Sequence, residues 1–330
     1  MKKMVKGLGL MALGLGAITF ASCSSNTASS TSQNGNSSKT STATETVTAL
    51  NGSIKAYTRD TTSGTRDGFF TGIDFKDAKE DNSKLVSGYI EVADNGAMIT
   101  SVKNDVYGIG YISLSSLSES GVKGLSYNGV EPTEENVLNS TYGLTRNFNY
   151  CLRESYSDSK KGDIVKALVG YMSSIEGMAT IKDKGGILEV PASAKSWDEI
   201  KANYPIASQD NSSVTITVGG STSVKSIVKQ LLSEFSKKCG NFTYNYNPTG
   251  SGDAYKRTNG SEKDGANACD LAFASREFTS SEAMSDSIKG KMCIDAIVAV
   301  VNNKNSLTNV TAETLKNIYN GTYTTWSQVK

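Results

Sequence analysis

Short β-rich runs that each pass into a helix through a Ser/Thr/Gly turn restrict this 330-residue chain more than any other feature. Residues 214–218 (VTITV) alternate as a strand does. The helix that follows places Val224, Ile227, Val228, Leu231, Leu232 and Phe235 on one face, at i, i+3, i+4 and i+7 spacing. Residues 53–58 (SIKAYT) and 107–114 (YGIGYISL) also read as strands. Residues 294–301 (IDAIVAVV) form a nearly continuous apolar run, expected of a strand buried on both faces. A second helix is predicted over 311–320, with Thr311 as N-cap and Gly321 just past its end. This alternation predicts α/β architecture with mostly parallel sheets. Residues 191–213 are polar and weakly patterned, and read as a connector.

Two of the turns carry chemistry. The first, 59–65 (RDTTSGT), follows the SIKAYT strand, and the second, 219–223 (GGSTS), follows VTITV. A helix start exposes unpaired backbone N–H groups and a partial positive charge, hydroxyls add donors, and Gly lets the backbone approach closely. Together these make an anion site. Arg59, six residues before Thr65, offers a bidentate contact to an oxyanion. Singly, each turn also reads as an ordinary helix cap, and neither has the GxxxxGK[ST] spacing of a nucleotide-binding loop. A third turn, 249–253 (TGSGD), alone indicates only a polar loop.

Composition removes several classes. The chain has no His, which excludes a Ser-His-Asp hydrolase and a His-ligated zinc centre. With no evident carboxylate cluster for metals, an enzyme acting on phosphate esters is disfavoured, and no cofactor is expected. A formal charge of +1 gives no polybasic reason to expect nucleic acid. Of five Cys, none stands in a CxxC pair.

The N-terminus reads as an export segment. Lys2, Lys3 and Lys6 make a basic start, residues 7–20 are apolar and rich in Gly and Ala, and Phe20-Ala21-Ser22-Cys23 resembles a bacterial lipobox, with Phe20 in place of the usual Leu. Cys23 is then the acylated residue, and removal of three lysines takes the formal charge from +1 to −2. Residues 24–48 hold 15 Ser or Thr in 25 positions and no aromatic residue. Such a stretch cannot bury enough surface to offset its ordering entropy, and it reads as a disordered tether over 23–49.

The order of the motifs adds a resemblance. VGGSTSV, TGSGDAYK, CDLAFASREF, IDAIVAVVNN and LTNVTAETLKNIYNGTYTTWSQV resemble the first part of the phosphate-binding protein of bacterial ABC phosphate importers. SIKAYTRDTTSGTRDGFF, YGIGYISL, GVEPTEENVLNSTYGLTRNF and SSIEGMATIKDKGG resemble its later part. The two parts stand in swapped order, so the chain looks like a circularly permuted member with 191–213 as the joining linker. Two truncated tandem copies are the alternative.

The resemblance implies a two-lobed class II solute-binding fold with crossover strands as a hinge near YGIGY and IDAIVAVV. One lobe would hold about 50–108 plus 300–330, the other about 112–293. It implies a monomer that captures inorganic phosphate outside the cytoplasmic membrane, lipid-anchored to its outer face, and passes it to the importer's permease subunits. Another oxyanion, or a surface or signalling role for the retained fold, is the alternative. By motif match, Arg59, Ser63, Gly64 and Thr65 contact the anion from one lobe, and Thr222, Ser223 and Ser251 from the other, with Ser275 and Arg276 in the next turn. Arg276 stands where the family carries an Asp that takes the ligand proton. It has two readings, a ligand contact or a surface pair with Glu277 or Glu282. Asp295 or Asp60 is then the candidate acceptor, with a plain hinge carboxylate as the other reading of Asp295.

Overall fold

The computed structural model describes residues 50–330. The export segment, Cys23 and the tether lie outside the described residues. The strands are β1 Lys55–Arg59, β2 Ile90–Val92, β3 Gly108–Ser113, β4 Lys123–Gly124, β5 Ser126–Tyr127, β6 Thr145–Leu152, β7 Thr215–Gly220, β8 Thr243–Pro248, β9 Leu271–Ala274, β10 Lys289–Val301 and β11 Asn309–Val310. The α-helices are α1 Gly64–Gly72, α2 Asn95–Asn104, α3 Glu134–Leu138, α4 Ser159–Met172, α5 Ile175–Asp183, α6 Trp197–Ile200, α7 Lys225–Lys238, α8 Gly252–Thr258 and α9 Ala312–Tyr319. Among these helices none is long and apolar enough to cross a membrane.

The strand order is β2-β1-β3-β10-β6-β9-β7-β8. Pairing is parallel at both ends, where β1 joins β2 and β3, and β7 joins β8 and β9. In the middle it is antiparallel, where β10 joins β3 and β6, and β6 joins β9. The expected parallel sheets are therefore confined to the two flanks. The antiparallel centre arises because β10 runs through both lobes: residues 289–296 pair with β6 and 297–301 with β3.

Two hydrophobic cores lie on either side of this centre. One gathers Phe69 and Phe70 of α1, Tyr111, Tyr127, Tyr142, Leu144, Ile297, Ile318 and Tyr319. The other gathers Phe148, Leu168 and Tyr171 with Ile216, Val218, Ile227, Leu231, Phe235 and Phe273. The fold is the two-lobed class II arrangement. The lobe limits differ from the sequence expectation. The chain does not leave the first lobe near 112: β3 stays there, and Leu125, Tyr127, Val137, Tyr142 and Leu144 bury themselves against its core. The outward crossing falls at Leu144–Thr145, where β6 begins, and the return runs along β10, between residues 296 and 297.

Both predicted helices form, and the second has its predicted ends. Ile227, Val228, Leu231, Leu232 and Phe235 are the buried face of α7, and Val224, just before it, is buried too. The Thr311 side chain accepts from the Thr314 N–H at the start of α9, and Gly321 beyond its end has φ +83°. The connector is more ordered than its composition suggests. Ser196 and Glu199 form a capping box around α6. Trp197 then stacks on Tyr204 and meets Tyr171 and Phe235 edge-on. Trp197→Ala should cost roughly 3–5 kcal/mol by leaving a cavity among these rings. Denaturant unfolding should show a lower midpoint at unchanged slope; an unchanged midpoint would mean that 191–213 does not belong to the cooperative core.

Candidate functional site

The turn between β1 and α1 is built by its own side chains. The Asp60 carboxylate accepts from the N–H and hydroxyl of Thr62, shaping the bend. Ser63 caps α1 by accepting from the Arg66 N–H. The helix start therefore presents Gly64 and Thr65, both buried, towards the opposite lobe. There Ser221 accepts from the Ser223 N–H in the turn after β7, and Ser251 accepts from the Ser275 N–H, tying the turn before α8 to the end of β9.

The two turns meet. Thr65 Oγ1 and Ser223 Oγ lie 2.8 Å apart. Arg59 Nη2 donates to Thr222 Oγ1 at 3.2 Å, and the Gly252 N–H donates to the Thr62 carbonyl at 3.1 Å. Within the second lobe Ser221 donates to Ser275 Oγ, which stands 3.0 Å from Ser251 Oγ. The expected residues Arg59, Ser63, Gly64, Thr65, Thr222, Ser223, Ser251 and Ser275 are thus brought into one hydroxyl-lined seam between the lobes.

Arg59 is fully buried. Its Nε donates to the Val92 carbonyl and its Nη2 to the Ala93 carbonyl, but Nη1 has no partner. Burial lowers this guanidinium from its ordinary value, against the pull of Tyr111, Asp60, Asp94 and Glu91. Arg66 is buried as well and donates only to the carbonyls of Ala78 and Arg59.

Arg276 does not join the seam. Both its Nη atoms donate to Glu282, and Nη1 also reaches the Glu277 carbonyl, which is the surface-pair reading. Asp295 is fully buried at the return crossing, yet its oxygens are taken. Arg146 Nε and Nη2 donate to Oδ2 at 2.9 and 2.7 Å, and Ser113 Oγ donates to Oδ1 at 2.7 Å. Burial raises the Asp295 carboxyl and lowers the Arg146 guanidinium, each against its partner's attraction. Both Asp295 oxygens thus already accept hydrogen bonds within the protein, which agrees with the hinge-carboxylate reading of this residue. Asp60 Oδ1 is occupied by its own turn, and Oδ2 lies 3.8 Å from Arg59 Nη2.

Arg146, Ser113 and Ser221 were missed in the sequence. Ser221 was legible as a cap in GGSTS. Arg146 has no local signal: it meets Asp295 only through the antiparallel register of β6 and β10. The four described Cys are free and buried, and burial pushes Cys151 up to about 12 and Cys239 and Cys269 up to about 11, so they remain thiols.

Residues 205–330 match the model of a PBP superfamily domain. The similarity of this chain extends well beyond it. Phosphate-binding protein PstS 2 of Streptococcus pneumoniae serotype 4 (TIGR4) is 28% identical over 331 residues, taking in 99% of this chain and 100% of that protein. Phosphate-binding protein PstS 2 of Streptococcus agalactiae serotype V is 27% identical over 281 residues, 84% of this chain and 88% of that protein. The crystal structure of a phosphate-binding protein of a phosphate ABC transporter from Streptococcus pneumoniae TIGR4 matches with a TM-score of 0.62 and 25% identity, over 84% of this chain and 100% of that one.

Gly64 is what lets the two lobes meet so closely. A Cβ there would stand 2.4 Å from both Ser251 Oγ and Ser275 Oγ. Ser251 cannot swing aside without losing the Ser275 N–H, nor Ser275 without losing the Ser221 hydroxyl. Gly64→Ala should fold normally but hold the lobes apart, which small-angle scattering reads as a larger radius than wild type in the presence of anion. An unchanged radius would show that this contact does not limit closure.

Proposed function

We propose that this chain is an extracytoplasmic solute-binding protein that captures inorganic phosphate between its lobes and passes it to the membrane subunits of an ABC importer. One observation carries the reading: Arg59 Nη1 is buried without a partner in a seam of hydroxyls from both lobes. A buried charged donor left unsatisfied is costly, and an oxyanion satisfies it with a charge-assisted bond. The local charge balance agrees. Arg59, Arg66 and Arg146 are buried around the seam, where Asp295 is fully buried and Asp60 is partly exposed. The relatives named as phosphate-binding proteins give the anion its identity.

Binding would stabilise the closed form, because the ligand touches both lobes and so binds that form better. The ligand leaves chemically unchanged. The contacts assigned to it are Arg59, the α1 start at Ser63, Gly64 and Thr65, and the hydroxyls of Thr222, Ser223, Ser251 and Ser275. The segment order is read as a circular permutation. In support, the Ile54 N–H donates to the Thr324 carbonyl and the Trp326 N–H to the Gly52 carbonyl, so the last segment lies beside the one that opens β1.

Calorimetric titration with phosphate tests the reading directly, and absence of binding would overturn it. Arg59→Ala should weaken phosphate by about 30- to 1,000-fold, the loss of roughly 2–4 kcal/mol for a charge-assisted contact. Arg59→Lys should recover only part, since the planar fork is gone. Equal affinities in Arg59→Ala and wild type would remove this residue from the site.

The protein would act as a monomer held to the outer face of the cytoplasmic membrane by acylated Cys23, with 24–49 as its tether. Cys23→Ser should move it from the membrane to the soluble fraction, checked by fractionation and immunoblot. A processed variant that stays on the membrane would rule out the lipid anchor.

A further inference from the structure

We propose that Arg66 is a positioning residue of the anion site: its buried side chain clasps the neck of the 59–65 turn and thereby aims the Arg59 guanidinium into the seam. This rests on Arg59 being the group that takes the anion.

The turn needs such a clasp because the sheet stops supporting it. The last register pair between β1 and β3 is Ala56 with Ile109, so the ladder on that side ends before it reaches Arg59. Two side chains take its place. The Tyr111 hydroxyl accepts from the Arg59 N–H at 3.1 Å, and Arg66 Nη1 donates to the Arg59 carbonyl at 2.8 Å. The main chain of Arg66 works at the other end of the turn, where its N–H donates to Ser63 Oγ, the cap of α1. One residue thus ties the strand end that carries Arg59 to the helix start that presents Gly64 and Thr65.

Arg66 is itself held rigidly. Nε and Nη2 both donate to the Ala78 carbonyl, at 3.1 and 2.6 Å, and the guanidinium carbon stands 5.5 Å from the centre of the Phe70 ring. These partners are all neutral. Burying a cation on carbonyls and a ring is costly, and an apolar side chain would fill the same space without that cost. What neither an apolar side chain nor a lysine can do is hold the carbonyls of two separate segments with one planar fork. Arg59 contributes fully to capture when its unpartnered Nη1 is already aimed as the lobes close, because a guanidinium that must be ordered on binding costs affinity. The fork of Arg66 supplies that order through the backbone, from behind the site.

The test is a double-mutant cycle, read by phosphate titration of full-length mature protein, with each variant checked for folding by thermal melting. Arg66→Lys keeps the charge and loses the fork. Arg66→Met loses both at similar length, and Arg66→Gln takes its place if the Met variant does not fold. Each should weaken phosphate by about 5- to 50-fold. In the Arg59→Ala background the same substitutions should change affinity by less than about twofold, because no guanidinium is left to aim. A loss of the same size in both backgrounds would overturn the proposal, since Arg66 would then support α1 in general and not Arg59. Wild-type affinity in a folded Arg66→Lys would overturn it too, by showing that the fork does not matter. Either result leaves phosphate capture standing. Failure of wild type to bind phosphate would instead overturn the function on which the proposal rests.

Discussion

Burying a guanidinium with one nitrogen unpaired obliges the surrounding structure to hold it rigidly and to offer an anion a route to it. The elements around Arg59 do the first of these. β2 and the turn before α2 turn two carbonyls, Val92 and Ala93, towards its Nε and Nη2. Asp94 then caps α2, which fixes the course of that turn. On the other side the Tyr111 hydroxyl accepts from the Arg59 N–H and lies 2.7 Å from Thr58 Oγ1, while Tyr111 itself stacks on Phe69 of α1. Arg66, one turn into α1, donates back to the Arg59 carbonyl. The core of the first lobe therefore does more than exclude water. It prevents the guanidinium from relaxing into a geometry in which its last nitrogen finds a protein partner.

The second requirement is met by the other lobe, and here small residues decide. Hydroxyls of Thr222, Ser223, Ser251 and Ser275 line the facing wall, and each can rotate to donate or accept. Their short side chains allow the α1 start to come within contact distance, provided that position 64 has no side chain. Closure and ligand contact are then one event, because the groups that bridge the lobes are the groups that line the site. The central sheet makes this motion possible. The chain passes between the lobes at Leu144–Thr145 and again along β10, so a rotation need distort only two short stretches of backbone.

Much of this was legible in the sequence because it is local. A strand, a hydroxyl turn and an amphipathic helix announce themselves within about twenty residues, and the RDTTSGT and GGSTS turns became helix starts facing one seam. What was not legible is long-range. Arg146 and Asp295 are 149 positions apart and meet through strand register, which no local pattern encodes. The lobe boundary was misplaced for the same reason: YGIGYISL looks the same whether it crosses or stays, and only the burial of Tyr127, Tyr142 and Leu144 against the α1 core decides. Arg276 had two readings in the sequence, and only the folded position of Glu282, six residues on, decides for the surface pair. The connector is a different case. Its S-x-x-E capping box at Ser196–Glu199 was local and present, hidden only by the polar residues around it.

The site is therefore a property of spatial arrangement and not of segment order. Its parts come from 59–65, 113, 146, 221–223, 251, 275 and 295, which alternate between lobes without regard to sequence. Each part is fixed by a short-range device: a cap at Ser63, an Asx turn at Asp60, a serine-to-backbone bond at Ser251, a cross-strand pair at Arg146 and Asp295. Because no device depends on which segment comes first, the order of the two large segments is free to change so long as both lobes keep their cores and both crossings remain. Residues 52–54 and 324–326, hydrogen-bonded side by side, show how little backbone separates the two segments in space. What such a chain cannot alter is the pairing of β10 with β3 and β6, since that one strand holds the lobes to a common axis and carries the carboxylate that orients Arg146.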